Sequence, residues 1–321
     1  MAVTLGVDFG TRNIEICQND KGIVLREPNI AAVDTVGNVV AIGTEALLTH
    51  GRAPGTVTLR RPIIDNTITD FNLAAEILDH ALETAAPRVK KHILAPTKQG
   101  FGARNRELLI RALGDCRTGK ITLVDSAATA WLGCDAEPLV EEPDYLGGTI
   151  ICDIGAGSVE ASYIRMGEIL RTETVHGGGD SSDSAMISYI RSAYSLTVTP
   201  ADVREAKHTL SLVNPEPSPI EFSGVDTATG MPRRITVPAK ELLNDCTPHI
   251  DDTVNVITSM LKNLPHHGEN ISVADRIILV GGGALTEGMG SYISEAIGRE
   301  VIVADDPLDA TARGLMIMMN R

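Results

Sequence analysis

Apolar and polar positions fall in short alternating runs from the start of the chain. VTLGVDFG, NIEICQND and IVLREPNIAAVD read as successive strands, with Asp20-Lys21-Gly22 turning between the second and third. AVDTVGNVVAIG sets turn residues between valine-rich runs and predicts another short strand pair around Asp34 to Gly37. In TDFNLAAEILDHALETA, Phe71, Ala74, Leu78 and Leu82 recur at helical spacing, with Thr69 or Asp70 available as N-cap. HILAPTK predicts a strand, NRELLIRALGD a helix ended by Gly114, KITLVD a strand and SAATAWLGC a helix.

At EPLVEEPDYLGG the composition shifts to Pro, Glu and Gly, which marks a crossover, and the pattern then restarts. GTIICDIGAG, EASYIRMGEI and RTETVHGGG read as three strands. DSSDSAMISYIRSAYS reads as a helix with Ala185, Met186, Tyr189, Ile190 and Ala193 on one face. NPEPSPIEFSGVDTATGMPRRITV suggests a peripheral strand pair, and TVNVITSMLKNL an amphipathic helix. RIILVGGG is a buried strand running into a glycine turn, and SYISEAIG a helix closed by Gly298. The two halves therefore read as a duplication of strand-strand-strand-helix units in an α/β chain.

Composition narrows the classes. The 321 residues, 43% of them hydrophobic, can bury two cores. Aromatics at 3% argue against stacking platforms for single-stranded nucleic acid. A formal charge of −14 opposes direct binding to nucleic acid or to anionic lipid. The five cysteines are scattered and odd in number, which disfavours a zinc site or a disulfide framework and fits a reducing compartment. With no signal-peptide pattern and no long apolar run, the expectation is a cytoplasmic protein without direct membrane insertion.

Candidate chemistry lies in the turns. A phosphate needs backbone N–H groups with no side chain in the way, and Mg²⁺ with its waters needs carboxylates. Asp8, Gly10 and Thr11 supply these parts at the end of one apolar strand. Asp153, Gly155, Gly157 and Ser158 supply them again halfway along. One such hairpin is as readily an ordinary tight turn, whereas two at matching positions read as halves of one nucleotide clamp. Gly281, Gly282 and Gly283 follow a strand and precede a helix, which lets a base or ribose approach the backbone.

With these motifs on the page, the chain resembles the actin-like ATPase superfamily, and within it the bacterial actins of the MreB type. GVDFGTRN is similar to the first phosphate loop, CDIGAGSVE to the second and ILVGGGALTEGM to the adenosine loop. RRPIIDNTITDFNLAAEIL, VHGGGDSSDSAMISYIRSAYS, VREAKHTL, GMPRRITV and VIVADDPLDATARG extend the likeness along nearly the whole chain. The resemblance implies two duplicated RNase H-like lobes and four subdomains around a nucleotide cleft. Lobe I would take 1–28, 74–148 and 306–321 as its core, with 29–73 as its small subdomain. Lobe II would take 149–177 and 248–305, with 178–247 as its small subdomain.

The resemblance further implies ATP and Mg²⁺ as cofactors. Asp8 and Asp153 would organise the magnesium shell, mostly through water. Gly10, Thr11, Arg12, Asn13, Gly155, Ala156, Gly157 and Ser158 would hold phosphates. Gly178, Gly179, Asp180, Lys207, Gly281, Gly282, Gly283, Ala284 and Met289 would complete the nucleotide site. Glu160 matches the glutamate that positions the hydrolytic water; its bland reading is a solvated strand residue. Head-to-tail self-polymerisation is implied as well, with a cytosolic adaptor as a possible further partner.

Three departures qualify the likeness. Ala156 stands in place of a third glycine, as in the MamK-like branch, and Val159 in place of a threonine. Asp125-Ser126-Ala127 replaces Glu-Glu-Pro, which implies slow hydrolysis. The stretch TAAPRVKK carries no exposed apolar pair that could enter a membrane. A non-polymerising ATPase of the same fold, acting as a chaperone-like activator, is the alternative; a sugar kinase lacks a clear catalytic Asp.

Other features read as decoys. GDCRTGK has P-loop spacing but follows a helix and opens a strand, the reverse of a P-loop's context. His266-His267 reads as a solvated loop. Met316, Met318 and Met319 read as core filling in a last helix.

Overall fold

A computed structural model of the chain describes residues 2–52, 55–134, 148–214, 218–264 and 276–320. In chain order, β1 (Val3–Phe9), β2 (Asn13–Gln18) and β3 (Gly22–Pro28) form a meander. Then come β4 (Ala31–Asp34), β5 (Val39–Ile42), α1 (Gly43–Arg52), β6 (Val57–Arg60), β7 (Ile63–Ile64) and β8 (Thr67–Ile68). Next are α2 (Phe71–Ala85), β9 (Lys91–Thr97), α3 (Gly102–Gly114), β10 (Thr118–Asp125) and α4 (Ser126–Gly133). The second half contains β11 (Thr149–Ile154), β12 (Ser158–Arg165), β13 (Glu168–His176), α5 (Gly179–Tyr194), β14 (Leu196–Thr197) and α6 (Pro200–Thr209). It continues with β15 (Ile220–Asp226), β16 (Pro232–Val237), α7 (Ala239–Asn263), β17 (Arg276–Val280), α8 (Met289–Ile297) and β18 (Ile302–Val303). The last helix is α9 (Ala310–Asn320).

The chain forms two units, Met1–Tyr145 with Asp309–Arg321, and Leu146–Leu308. Unit 1 holds a five-stranded sheet in the order β10-β9-β1-β2-β3, and unit 2 one in the order β13-β12-β11-β17-β18. Each is an antiparallel meander whose first strand continues into two parallel strands, so the duplication read from the sequence is a duplication of topology. Unit 1 adds the small sheet β5-β4-β6, and unit 2 the small sheet β14-β15-β16.

Helix α2 shows how pattern becomes packing. Leu73, Ala74, Ile77, Leu78, Ala81 and Leu82 are buried on one face, each large residue contributing about 2 kcal/mol of transfer free energy. Of the two cap candidates the structure selects Asp70, whose carboxylate accepts the Leu73 amide at 3.0 Å. The tightest helix pair in unit 1 is α4 with α9. A Cβ on Gly314 would sit 2.6 Å from the carbonyl carbon of Thr129, and one on Gly133 would sit 2.6 Å from the Gly314 nitrogen. Glycine at both positions is what lets the two backbones touch.

Several sequence expectations are corrected. IVLREPNIAAVD is two strands in different sheets, because Pro28 has no amide to donate and Ile30 N–H turns back to the Pro28 carbonyl at 2.9 Å. EASYIRMGEI spans a hairpin turn: Met166 and Gly167 take φ of 52° and 79°, so β12 ends at Arg165 and β13 starts at Glu168. Gly114 is the last residue of α3 but is not its left-handed stop; Asp115 keeps φ at −74° and the positive φ falls on Arg117. Helix α7 starts at Ala239, well before TVNVITSMLKNL, and continues through Pro248. Helix α1 is absent from the sequence reading. On α5, Met186 and Ile190 are buried but Ala193 is exposed, and Ser182 and Asp183 join the buried face.

Met316, Met318 and Met319 are only half-buried, the core positions of α9 going to Ala310, Ala312, Gly314 and Leu315. GDCRTGK links α3 to β10. In TAAPRVKK, Val89 is the large apolar residue that is exposed, and Lys91 is fully buried in an ion pair with Glu83 at 2.7 Å. Most of EPLVEEPDYLGG, and His266-His267, lie outside the described residues. Among the described residues no helix is long and apolar enough to cross a membrane.

Gly314→Val forces a side chain into the Thr129 backbone and should cost about 3 kcal/mol, roughly 5–10 °C of melting temperature by circular dichroism. Gly114→Ala, at a helical glycine with nothing within 4 Å of the added carbon, should instead leave stability equal or raise it by about 0.5 kcal/mol.

Candidate functional site

The two candidate turns are the same object built twice. In unit 1, Asp8 pairs with Glu15 across β1 and β2, and Gly10 N–H donates to the Asn13 carbonyl at 3.0 Å. In unit 2, Asp153 pairs with Glu160 across β11 and β12, and Gly155 N–H donates to the Ser158 carbonyl at 3.0 Å. Directly opposed residues of an antiparallel pair share a sheet face, so each turn carries an aspartate and a glutamate on one side. Thr11 and Arg12 are lifted out of the first ladder, and Ala156 and Gly157 out of the second.

The glutamates differ in their third-strand neighbour. Glu15 faces Arg26 on β3 and is ion-paired to it at 2.7 Å, while Arg26 also reaches Asp309 ahead of α9. Burial pushes the Glu15 carboxyl up from its ordinary value, and Arg26 opposes that shift. Glu160 faces Thr174 on β13, whose hydroxyl donates to Glu160 Oε2 at 3.0 Å, and is only 2% exposed. The solvated-strand reading of Glu160 is therefore excluded.

The second turn is seated on the start of α5. Gly177 N–H donates to the Gly157 carbonyl at 3.0 Å, Gly179 N–H to Gly155 at 3.0 Å and Asp180 N–H to Ala156 at 2.9 Å. A Cβ on Gly178, where φ is 78°, would lie 2.5 Å from the Gly155 carbonyl oxygen. Gly177, Gly179 and Asp180 thus hold the turn itself, their amides facing its carbonyls, and Gly178 permits the approach by lacking a Cβ. Ala156 is not among the residues with positive φ, so the departure from a third glycine fits this backbone.

The adenosine-loop glycines separate by role. Gly281, with φ of 83°, and Gly283 lie against Asp153 and Ile154, where an added Cβ would collide. Gly282 meets nothing closer than Leu308 at 3.7 Å, so its face is the one open to a ligand. Ala284 is buried in the unit 2 core. Lys207 Nζ donates to the Gly179 carbonyl at 2.9 Å and to Asp183 at 2.5 Å, and Arg204 lies 3.7 Å from the other Asp183 oxygen.

These parts converge within unit 2. A recess is lined by Gly178, Gly179, Lys207, Gly283 and Met289, backed by Ile154, Val159, Cys246 and Ile250. Its mostly apolar wall, with one ammonium at the rim and glycine backbone on two sides, suits a flat heterocycle carrying an anionic tail. The residues fit a nucleotide with its cation: glycine turns open to phosphate oxygens, and a half-buried carboxylate, Asp153, at the strand end. Asp8, Gly10, Thr11, Arg12 and Asn13 stand at the corresponding turn of unit 1. Among the described residues no group of three or more His, Cys, Asp or Glu could hold a metal by itself.

Sequence reasoning missed Asp183, Arg204, Thr174 and the α7 wall of the recess. Asp183 sat inside a helix otherwise read for its apolar face. Thr174 is found only through the β12–β13 register. At the Asp125 departure, the carboxylate caps α4 by accepting the Ala127 amide at 2.9 Å, a short local bond that fixes its direction.

Comparison with known proteins agrees over the full length. The family model described as MreB/Mbl protein matches residues 2–321. The chain is 30% identical over 328 residues to the cell shape-determining protein Mbl of Bacillus subtilis (strain 168), covering 98% of this chain and 95% of that protein. Its structure is similar to MreB5 of Spiroplasma citri bound to AMPPNP, with a TM-score of 0.86, 22% identity, and coverage of 100% and 96%. It is also similar to the MamK double helical filament, with a TM-score of 0.80, 19% identity, and coverage of 100% and 99%.

Burial pushes the Cys246 thiol in the recess wall up to about 12, and does the same at Cys17 and Cys116. At pH 8 a maleimide should therefore label half-buried Cys134 faster than these three by roughly a hundredfold, and urea should erase the difference. Peptide mapping of the labelled protein checks this.

Proposed function

Since the chain belongs to the MreB/Mbl family and has the actin-like fold, we propose that it is a cytoskeletal ATPase that binds Mg-ATP, hydrolyses it slowly and polymerises with copies of itself. The observation that carries the reading is the convergence of the α5 start, Lys207, Gly283 and Met289 on one recess, with the 155–158 turn hydrogen-bonded to that same helix start. AMPPNP bound to a protein of similar structure, and the filament formed by another, support it. The role would be to position or organise a structure in a bacterial cytoplasm, through an adaptor where cargo requires one.

In this reading the glycine turns after Asp8 and Asp153 bind phosphate, and the two aspartates would organise the shell of a magnesium ion, mostly through water. Magnesium, when bound, supplies charge neutralisation on the phosphates. Lys207, kept in place by Asp183 and the Gly179 carbonyl, borders the nucleoside, with Met289 and Gly282 at its other edges. Glu160 orients a water and accepts its proton, while Thr174 holds the carboxylate still. With Asp125 committed to a helix cap and Ser126 in place of a carboxylate, little else in that stretch can activate water, hence the slow rate. The four-subdomain division, with small subdomains at 29–73 and 178–247, goes with the same proposal. Nucleotide would favour the assembly-competent shape, and its hydrolysis would weaken subunit contacts.

Mg-ATP should yield pelletable filaments visible by electron microscopy. Glu160→Ala should slow phosphate release at least about tenfold and block disassembly more than assembly. A protein that stays monomeric with Mg-ATP well above micromolar concentration sinks the polymer reading, and calorimetry without nucleotide uptake sinks the ATPase.

A further inference from the structure

We propose that Asn29 is a positioning residue that ties the first glycine turn to helix α1, so that a nucleotide seated on Gly10–Asn13 is registered by the small β5-β4-β6 sheet. The proposal rests on the nucleotide reading above. Asn29 is 0% exposed and lies where the chain leaves the five-stranded sheet for the small one, between β3 and β4. Its Nδ2 donates to the Gly10 carbonyl at 2.8 Å, and its backbone N–H donates to the Arg12 carbonyl at 2.7 Å. One residue thus grips the turn at both shoulders. Its Oδ1 is buried and has no hydrogen-bond partner among the described residues. Leaving Oδ1 without a partner costs desolvation, so the side chain's stabilising contribution comes through the Nδ2 bond to the turn.

From Asn29 the bonds continue outward. The carbonyl of the next residue, Ile30, accepts the Gly43 N–H at 2.8 Å, where α1 begins. On the other side, Glu27 Oε2 accepts Thr44 N–H at 2.7 Å and Thr44 Oγ1 at 2.6 Å, capping the same helix from the end of β3. Ile30, Ala32, Ala46 and Val57 then form the small core beneath α1. The turn, the inter-sheet corner and the helix start are therefore one hydrogen-bonded run inside unit 1. A shift of the turn by a ligand is passed to α1 through bonds that are costly to leave unmade.

Hydrogen exchange with and without Mg-ATP tests the relay. In the wild type, α1 amides should slow about threefold or more on nucleotide addition. Asn29→Ala should raise the nucleotide Kd about tenfold and abolish the α1 response even at saturating nucleotide. Asn29→Ala removes a buried group, so Glu27→Gln, at a partly exposed side chain, provides a second arm. It should keep the Kd within about twofold while the α1 response shrinks. Nucleotide uptake with no α1 response in the wild type overturns the relay, as does a full response in Glu27→Gln or in a folded Asn29→Ala. No uptake by the wild type overturns the nucleotide reading and the relay together.

Discussion

Backbone touching backbone is the constraint on which the site depends. The 155–158 turn can lie on the start of α5 only because Gly178 has no Cβ to strike the Gly155 carbonyl. It can lie beside the end of β17 only because Gly281 and Gly283 have none to strike Asp153 and Ile154. Amide-to-carbonyl bonds from Gly177, Gly179 and Asp180 then fix the turn. The rigidity of the recess comes from main chain, with side chains such as Lys207 and Met289 placed around it.

Duplication supplied two such turns, and their surroundings have diverged. The same strand position opposite the glutamate holds an arginine in one unit and a threonine in the other. Arginine turns Glu15 into one arm of a bridge to the last helix, a structural use. Threonine leaves Glu160 a buried carboxylate held by a hydroxyl. The same pattern is thus tied toward the last helix in the first unit and to a neighbouring strand's hydroxyl in the second.

The turns were legible in the sequence because glycine spacing and strand hydrophobicity are local properties. So was the repetition of strand units in the two halves, although the Met166–Gly167 turn inside the second meander was not. What escaped was set by distant partners. Asp183 is buried because Lys207 and Arg204, on another helix, reach it. Lys91 is buried because Glu83 meets it, whereas its sequence context reads as a solvated basic run. Helix α7 was half seen because Pro248 and the charged residues around Cys246 blur its period, although the helix tolerates them. The break at Pro28 and Asn29 was missed because apolar segments flank it closely on both sides, and hydrogen-bond bookkeeping exposes the corner.

The seam between α4 and α9 joins residues separated by all of unit 2. On a ribosome, Leu146–Leu308 emerges and can settle into its own core while the earlier segment still lacks its closing helix. The first unit to be synthesised is therefore the last to be completed, and its Gly133 face has no packing partner until translation reaches Gly314.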